Sequence, residues 1–211
     1  MRALILAGGD LTVTPLLRRL SQADFIVAAD SGLRHALTLG LTPDLIVGDF
    51  DSASEADLHM FAAVPIKRFD ARKNQLDLEL AIDAALDKGA TTLRLFGALG
   101  SRLDQSLAAL FIAARLAQKG IKISLHGASQ DVFMLAGEDG LELELPLKQI
   151  FSLLSLSEAS NVSVTNAEYN LDDFELKYGV GLGVSNRVSV SPLKVRTTRG
   201  VLALVIEREN L

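Results

Sequence analysis

The chain contains no cysteine and no tryptophan. Without thiols there is no disulfide, no zinc–thiolate centre and no sulfur nucleophile. Tyrosine occurs only twice, and 21 Lys+Arg against 26 Asp+Glu leave a net charge of −5. A general nucleic-acid binder needs a basic face interleaved with stacking aromatics, so that class is excluded. Long apolar runs are missing as well. The run inside Met1 to Gly9 is shorter than a signal-peptide core and breaks at Gly8-Gly9. The longest later run, Leu107 to Ala114, falls well below the roughly 18 residues that span a bilayer. These absences predict a cytoplasmic protein with no nucleic-acid and no membrane partner. What is present is ordinary globular composition, 49% hydrophobic and 22% charged over 211 residues. That length buries a real core as one large domain or two modest ones.

Short apolar runs alternate with helical periodicity over the first 135 or so residues. Arg2–Ala7, Phe25–Ala29, Leu45–Val47, Val64–Lys67, Thr92–Phe96 and Lys122–Leu125 each read as a buried strand. Between them, Leu78, Ile82, Ala85 and Leu86 share one helical face, as do Leu103, Leu107, Leu110, Phe111 and Ala114. Both stretches stop at Lys-Gly, a basic last turn followed by a capping glycine. Strand–helix alternation of this kind implies a mainly parallel sheet with helices on both faces. After about residue 138 the texture changes. Leu141 to Leu145 alternates at period two, Val188 to Val190 and Val195 to Thr197 do likewise, and Val201–Ile206 reads as a last buried strand. The expected fold is therefore α/β, with residues 1–137 as the parallel-sheet domain and 138–211 as an all-β sandwich.

Acidic residues fall at the carboxyl ends of the predicted strands, where open α/β sheets bind ligands. Asp30 follows Phe25–Ala29, and Ser31-Gly32 then open a helix. Asp49 and Asp51 follow Leu45–Gly48, Asp77 and Glu79 enter the Leu78 helix, and Asp104 begins the helix after Gly97–Arg102. Asp30 and Asp104 also suit helix N-caps, and Asp77 and Glu79 also suit the positive end of a helix dipole. Asp49-Phe50-Asp51 is harder to explain structurally. Carboxylates one residue apart on an extended segment point the same way and repel until a cation neutralises them. Hard oxygen donors without thiols favour Mg²⁺, which binds through one or two carboxylates together with substrate phosphates. Gly8-Gly9 after the first strand lets backbone amides approach an anion, although no Walker-type Gly-Lys-Ser/Thr follows. Lys73 and Arg102 place positive charge beside the acids. His35, His59 and His126 are scattered and form no triad or metal trio; His35 alone lies near a candidate loop.

Ala29-Asp30-Ser31-Gly32 followed by Pro43 to Ser52 (Pro-Asp-Leu-Ile-Val-Gly-Asp-Phe-Asp-Ser) resembles the signature of thiamine pyrophosphokinases. The spacing to Lys73–Glu79 and to Gly97–Asp104 is similar to that family, as are Thr165 to Leu171 with Tyr169 and the turn Gly183-Val184-Ser185-Asn186. The resemblance covers nearly the whole chain. It implies ATP and Mg²⁺ on the α/β domain, a β-sandwich for thiamine, and a homodimer with the site at the subunit interface. The implied reaction moves the terminal diphosphate of ATP to the thiamine hydroxyl, giving thiamine diphosphate and AMP. Carried over by position, Asp30, Asp49, Asp51, Asp77 and Asp104 line the metal–nucleotide site, with Asp49, Asp51 and Asp77 on the metal. Gly8, Gly9, Ser31, Gly32 and Ser52 are the accompanying nucleotide contacts. Lys73 and Arg102 stabilise charge as AMP leaves, and Gln105, Ser185 and Asn186 face thiamine. Asp77 or Asp104 accepts or orients the alcohol proton.

The chain departs from the family pattern at Asn74, Leu76, Gln105 and Arg187, where Asp, Thr, His and Glu are usual. The five aspartates survive. Two alternatives share these residues: a related pyrophosphokinase with another heterocyclic alcohol as acceptor, and a nucleotide- or thiamine-binding regulator without turnover.

Overall fold

The computed structural model describes residues 1–49, 59–69 and 75–208, so Asp51, Ser52, Lys73 and Asn74 lie outside the described residues. Contacts divide the chain into two units, Met1–Ile112 with Ile123–Ala128, and Ala113–Lys122 with Ser129–Leu211.

Among the described residues of the first unit, strands β1 (Arg2–Leu6), β2 (Phe25–Ala29), β3 (Leu45–Gly48), β4 (Ile66–Arg68), β5 (Thr92–Phe96) and β6 (Lys122–His126) lie in the order β6-β5-β1-β2-β3-β4. The pairings β1–β2, β1–β5, β2–β3 and β3–β4 are all parallel. Helices α1 (Pro15–Leu20) and α2 (Leu33–Leu39) cover one face, where Leu17, Leu33, Ala36 and Leu39 pack with Leu4, Leu6, Ala28, Ile46 and Phe96. Helix α3 (Asp77–Asp87) buries Leu80, Ala81, Ile82 and Ala85 and packs against β1, β2 and β3 from the other face. Helix α4 (Leu103–Gln118) follows β5. Thr14 caps α1, accepting from the Leu17 N–H at 3.2 Å, with Pro15 as the first helical residue. Helix α2 ends at Gly40 with φ +68°, a left-handed cap.

One expected strand differs. Val64–Lys67 reads as buried, but the strand is Ile66–Arg68 and all three residues are exposed. It is the edge of the sheet, and the apolar content of that stretch is buried just before it, through Phe61 and Val64. The capping readings of Asp30 and Asp104 also differ from what forms. Asp30 lies in a 3₁₀ turn, Asp30–Gly32, and Gly32 precedes α2. Asp104 sits inside the first turn of α4.

The second unit is a sandwich of antiparallel strands. One sheet orders β12 (Asn186–Arg187), β9 (Ile150–Ser155), β14 (Val201–Glu207) and β7 (Gln130–Ala136); the other orders β11 (Leu171–Lys177), β10 (Ala159–Thr165), β13 (Leu193–Arg199) and β8 (Asp139–Leu143). Phe151, Leu153, Leu202, Leu204 and Ile206 of the first meet Val162, Val164, Leu176, Leu193 and Val195 of the second. Period-two burial along β13 is the alternation read at Val195 to Thr197, and β8 alternates likewise, whereas Val188 forms only an isolated bridge to Ala167 and Val190 is exposed.

Candidate active site

Strand order reverses between β1 and β5, because the chain winds outward through β2, β3 and β4 before returning to the other side of β1. Crevices form at the carboxyl ends of strands where the order reverses. A cleft of about 220 Å³ opens there. Its walls come from Ala7, Gly8 and Gly9 after β1, Ala29, Asp30 and Ser31 after β2, Gly97 and Ala98 after β5, Leu76, Asp77 and Leu78 at α3, and Gln105 of α4.

The backbone is shaped to bring these ends together. A Cβ on Gly32 would stand 2.0 Å from the Leu6 carbonyl oxygen, so only glycine lets that turn lie against β1. Gly48 has φ +152°, and a Cβ there would press to 3.2 Å on the Asp30 Cβ. The ends of β2 and β3, carrying Asp30 and Asp49, therefore approach closely. Asp30 itself has φ +45°, a left-handed conformation rare outside glycine and found at functional sites. Its Oδ1 is buried with no hydrogen-bond partner among the described residues. An orphaned buried acceptor costs on the order of 1–3 kcal/mol, which a bound cation or donor relieves. At α3, the Glu79 carboxylate accepts from the Leu76 N–H at 3.3 Å, fixing the first turn and with it Asp77.

Of the paired glycines, Gly8 is exposed, whereas the Gly9 N–H is already committed to the Gly97 carbonyl at 2.8 Å. Of the two amides, the Gly9 N–H is thus the one already used within the fold. Arg102 and Asp104 pair with each other, 2.6 Å apart and each 67% exposed, and neither lines the cleft. Hydrogen bonds from Arg102 lower the Asp104 carboxyl to about 2, which makes it a poor proton acceptor. The residue that α4 contributes to the cleft wall is Gln105.

Among the described residues no three His, Cys, Asp or Glu side chains converge as a metal site. The donor chemistry still suits Mg²⁺: Asp49 and Asp77 are hard oxygen donors, and Asp30, which lines the cleft with Asp77, offers an unsatisfied one, whereas Asp49 is not part of the cleft wall. Asp51, adjacent to Asp49 in sequence, lies outside the described residues.

In the second unit Ser185 is exposed with φ +65°, and its N–H donates to the Ser152 hydroxyl at 3.1 Å. Asn186 is buried. Its amide donates to the Tyr169 carbonyl at 2.7 Å, and its carbonyl accepts from the Tyr169 N–H at 3.1 Å and from its own neighbour Arg187 at 2.8 Å. Asn186 therefore holds the segment that presents Tyr169, which is 72% exposed, and leaves Ser185 to face outward.

Two family models match this chain. Residues 16–125 match the thiamin pyrophosphokinase catalytic domain, and residues 141–202 match the thiamin pyrophosphokinase vitamin B1 binding domain. This chain belongs to the thiamin pyrophosphokinase family. It is 28% identical over 206 residues to thiamine pyrophosphokinase of Bacillus subtilis (strain 168), covering 95% of this chain and 96% of the relative. Among solved structures, the Bacillus subtilis thiamine pyrophosphokinase superposes with a TM-score of 0.86 at 25% identity, each chain covered in full (100%). Thiamin pyrophosphokinase of Candida albicans shares the fold, with a TM-score of 0.79 at 16% identity over 99% of this chain and 90% of that one. The function is that of a thiamine diphosphokinase, an ATP-dependent diphosphotransferase.

The family signature covers the acids but not everything the fold builds around them. Asp10 accepts from the Ser101 N–H at 3.2 Å, tying the turn after β1 to the loop after β5. Its only sequence signal is its place directly behind Gly8-Gly9. Ser152, the partner of Ser185, lies 33 residues away and has no local signal.

Proposed function

We propose that the cleft between β1, β2 and β5 holds the phosphates of ATP, with Gly8 and Ser31 as donors. Asp49, Asp51 and Asp77 hold Mg²⁺. The bound metal offsets phosphate charge and thereby lowers the barrier to attack by an alcohol. The thiamine hydroxyl oxygen bonds to the β-phosphorus, the bond to the α–β bridging oxygen breaks, and AMP departs with that oxygen. Lys73 balances the charge on the departing AMP, while Arg102 is held by Asp104 outside the cleft. Asp77 orients the alcohol, whose proton passes to solvent as the bond to phosphorus forms, and Arg102 suppresses the basicity of Asp104. Alignment and electrostatics supply most of the acceleration. The observation that carries this reading is the buried, unpartnered Asp30 oxygen in a cleft walled by glycines and by Asp77.

Thiamine is held by Gln105 and Ser185, with Asn186 fixing the Tyr169 segment, in a cytoplasmic homodimer whose sites are shared between subunits. Uncovered apolar side chains support the dimer. Leu103, Leu107 and Phe111 form one stripe of α4 at 69%, 42% and 59% exposure. In the second unit Tyr169, Leu182 and Val184 are exposed as well. Light scattering is expected to give twice the chain mass, and Leu107→Glu with Phe111→Glu to give the monomer. Calorimetric titration tests the substrate sites. Both thiamine and a non-hydrolysable ATP analogue with Mg²⁺ are expected to bind, and nucleotide binding without thiamine binding at millimolar concentration would contradict the reading.

A further inference from the structure

His35, the third residue of α2, belongs to no motif, yet its ring lies against two of the turns that wall the cleft. Its Nε2 lies 2.7 Å from the Gly9 carbonyl oxygen. A carbonyl only accepts, so Nε2 carries the proton and donates. The ring also abuts the turn after β5: a Cβ on Gly97, at φ +68°, would fall 2.9 Å from the same Nε2. The two turns are joined at this point. Ala7 N–H donates to the Phe96 carbonyl at 2.8 Å, Gly9 N–H to the Gly97 carbonyl at 2.8 Å, and Ser101 N–H to the Asp10 carboxylate at 3.2 Å. Gly8, Gly9, Gly97 and Ala98 all line the cleft.

Peptide planes beside glycine rotate at little cost. Rotation of the Gly9–Asp10 peptide would change which polar atom, carbonyl oxygen or N–H, it presents to the cleft. The two atoms of a trans peptide point in opposite directions, so anchoring the oxygen fixes the N–H too. An anionic ligand repels the oxygen and attracts the N–H. Burial lowers the pKa of His35, Arg34 on its own helix lowers it further, and the Gly9 hydrogen bond and the Asp10 charge oppose them. The ring is therefore neutral at pH 7 and acts as a donor rather than as a charge.

We propose that His35 is a positioning residue for the nucleotide. Its Nε2–H draws the Gly9 carbonyl away from the phosphates and holds the turns after β1 and β5 in the spacing the phosphates require. This rests on the reading of the cleft as the ATP site.

The test uses the full chain with Mg²⁺, ATP and thiamine. His35→Phe keeps a ring and removes the donor, whereas His35→Gln places an amide N–H at a similar reach. In H35F the KM for ATP is expected to rise about tenfold, the scale of one lost hydrogen bond, with the KM for thiamine unchanged. H35Q is expected to restore most of that loss. Equal rises in both KM values together with a lowered melting temperature, or no change in the KM for ATP, would overturn the proposal. If H35F does not fold, the wild-type protein decides: the ¹⁵N signal of His35 Nε2 is expected to move on adding the ATP analogue and not on adding thiamine, and an unmoved signal overturns it. A wild-type protein that binds no ATP analogue refutes the cleft reading itself, whereas unchanged variants beside a binding wild type refute only the role of His35.

Discussion

Acids at the two ends of the parallel strands are treated differently. At the amino ends, Asp24 accepts from the Arg2 N–H and Asp44 from the Ile26 N–H, both at 2.8 Å, so these carboxylates close the backbone. At the carboxyl ends, Asp30 keeps a buried oxygen without a partner among the described residues, on a left-handed backbone. The second unit resembles the amino ends. Glu142 pairs with Lys194 at 3.0 Å across β8 and β13, Glu138 with Arg196 at 2.9 Å, and Glu175 of β11 reaches past β10 to Arg199 of β13 at 2.9 Å, and Asp131 is paired with Arg208 under cover. The difference teaches where stability and function lie. Paired acids brace the backbone and the strands, whereas an acid oxygen left unsatisfied at a strand end is the kind of group a ligand can satisfy.

That contrast is sharpened most by removing one acid at a carboxyl end and one paired acid of the second unit. Asp49→Asn is expected to lower kcat by about 10²–10³-fold, the scale of a lost electrostatic contact in the transition state. Its thermal midpoint should stay at the wild-type value, as measured by scanning calorimetry beside steady-state assays. Asp131→Ala leaves the Arg208 charge buried and is expected to cost about 3 kcal/mol in urea unfolding. The KM values of the folded fraction should not change. If D49N melted early, or if D131A lost catalysis without losing stability, the division between the two kinds of acid would be wrong.

Asn186→Ala addresses the same contrast in the second unit. It frees the Tyr169 segment and is expected to raise the KM for thiamine about tenfold while leaving that for ATP unchanged. A smaller effect concerns pH. Burial, the largest cause, depresses the pKa of His35, so between the ordinary value of 6.5 and its lower folded value the unfolded chain binds more protons than the folded one. Stability therefore rises with pH through that window and is lost as the pH falls. Replacing His35 with Gln should flatten this slope, which pH-dependent melting curves would show. The smallest effect lies at the exposed Arg102–Asp104 pair. Carbon NMR is expected to find Asp104 titrating near 2, and Arg102→Gln to return it towards the ordinary carboxylate range.

Much of this arrangement was legible in the sequence because it is local. The apolar runs at β1, β2 and β5, the period-two stretches of the sandwich and the aspartates at strand ends are set by neighbours a few residues apart. The exposed edge strand β4 was not legible, because only the sheet order makes it an edge. Neither was the service of Asn186 to Tyr169, 17 residues away, nor the bond from His35 to Gly9, 26 residues away. A conspicuous motif residue and an inconspicuous histidine both act through backbone groups that sequence spacing does not bring together. Arg102 and Asp104 show the converse: adjacent to the signature, they satisfy each other on the first turn of α4.

The most direct measurement of the central claim is AMP release from ATP and Mg²⁺ by the purified chain, followed by chromatography with and without thiamine. The account predicts AMP that depends on thiamine and appears in equal amount with thiamine diphosphate, and that is lost in D49N. AMP formed only with a different heterocyclic alcohol, or no AMP from a protein that binds both substrates, would contradict it.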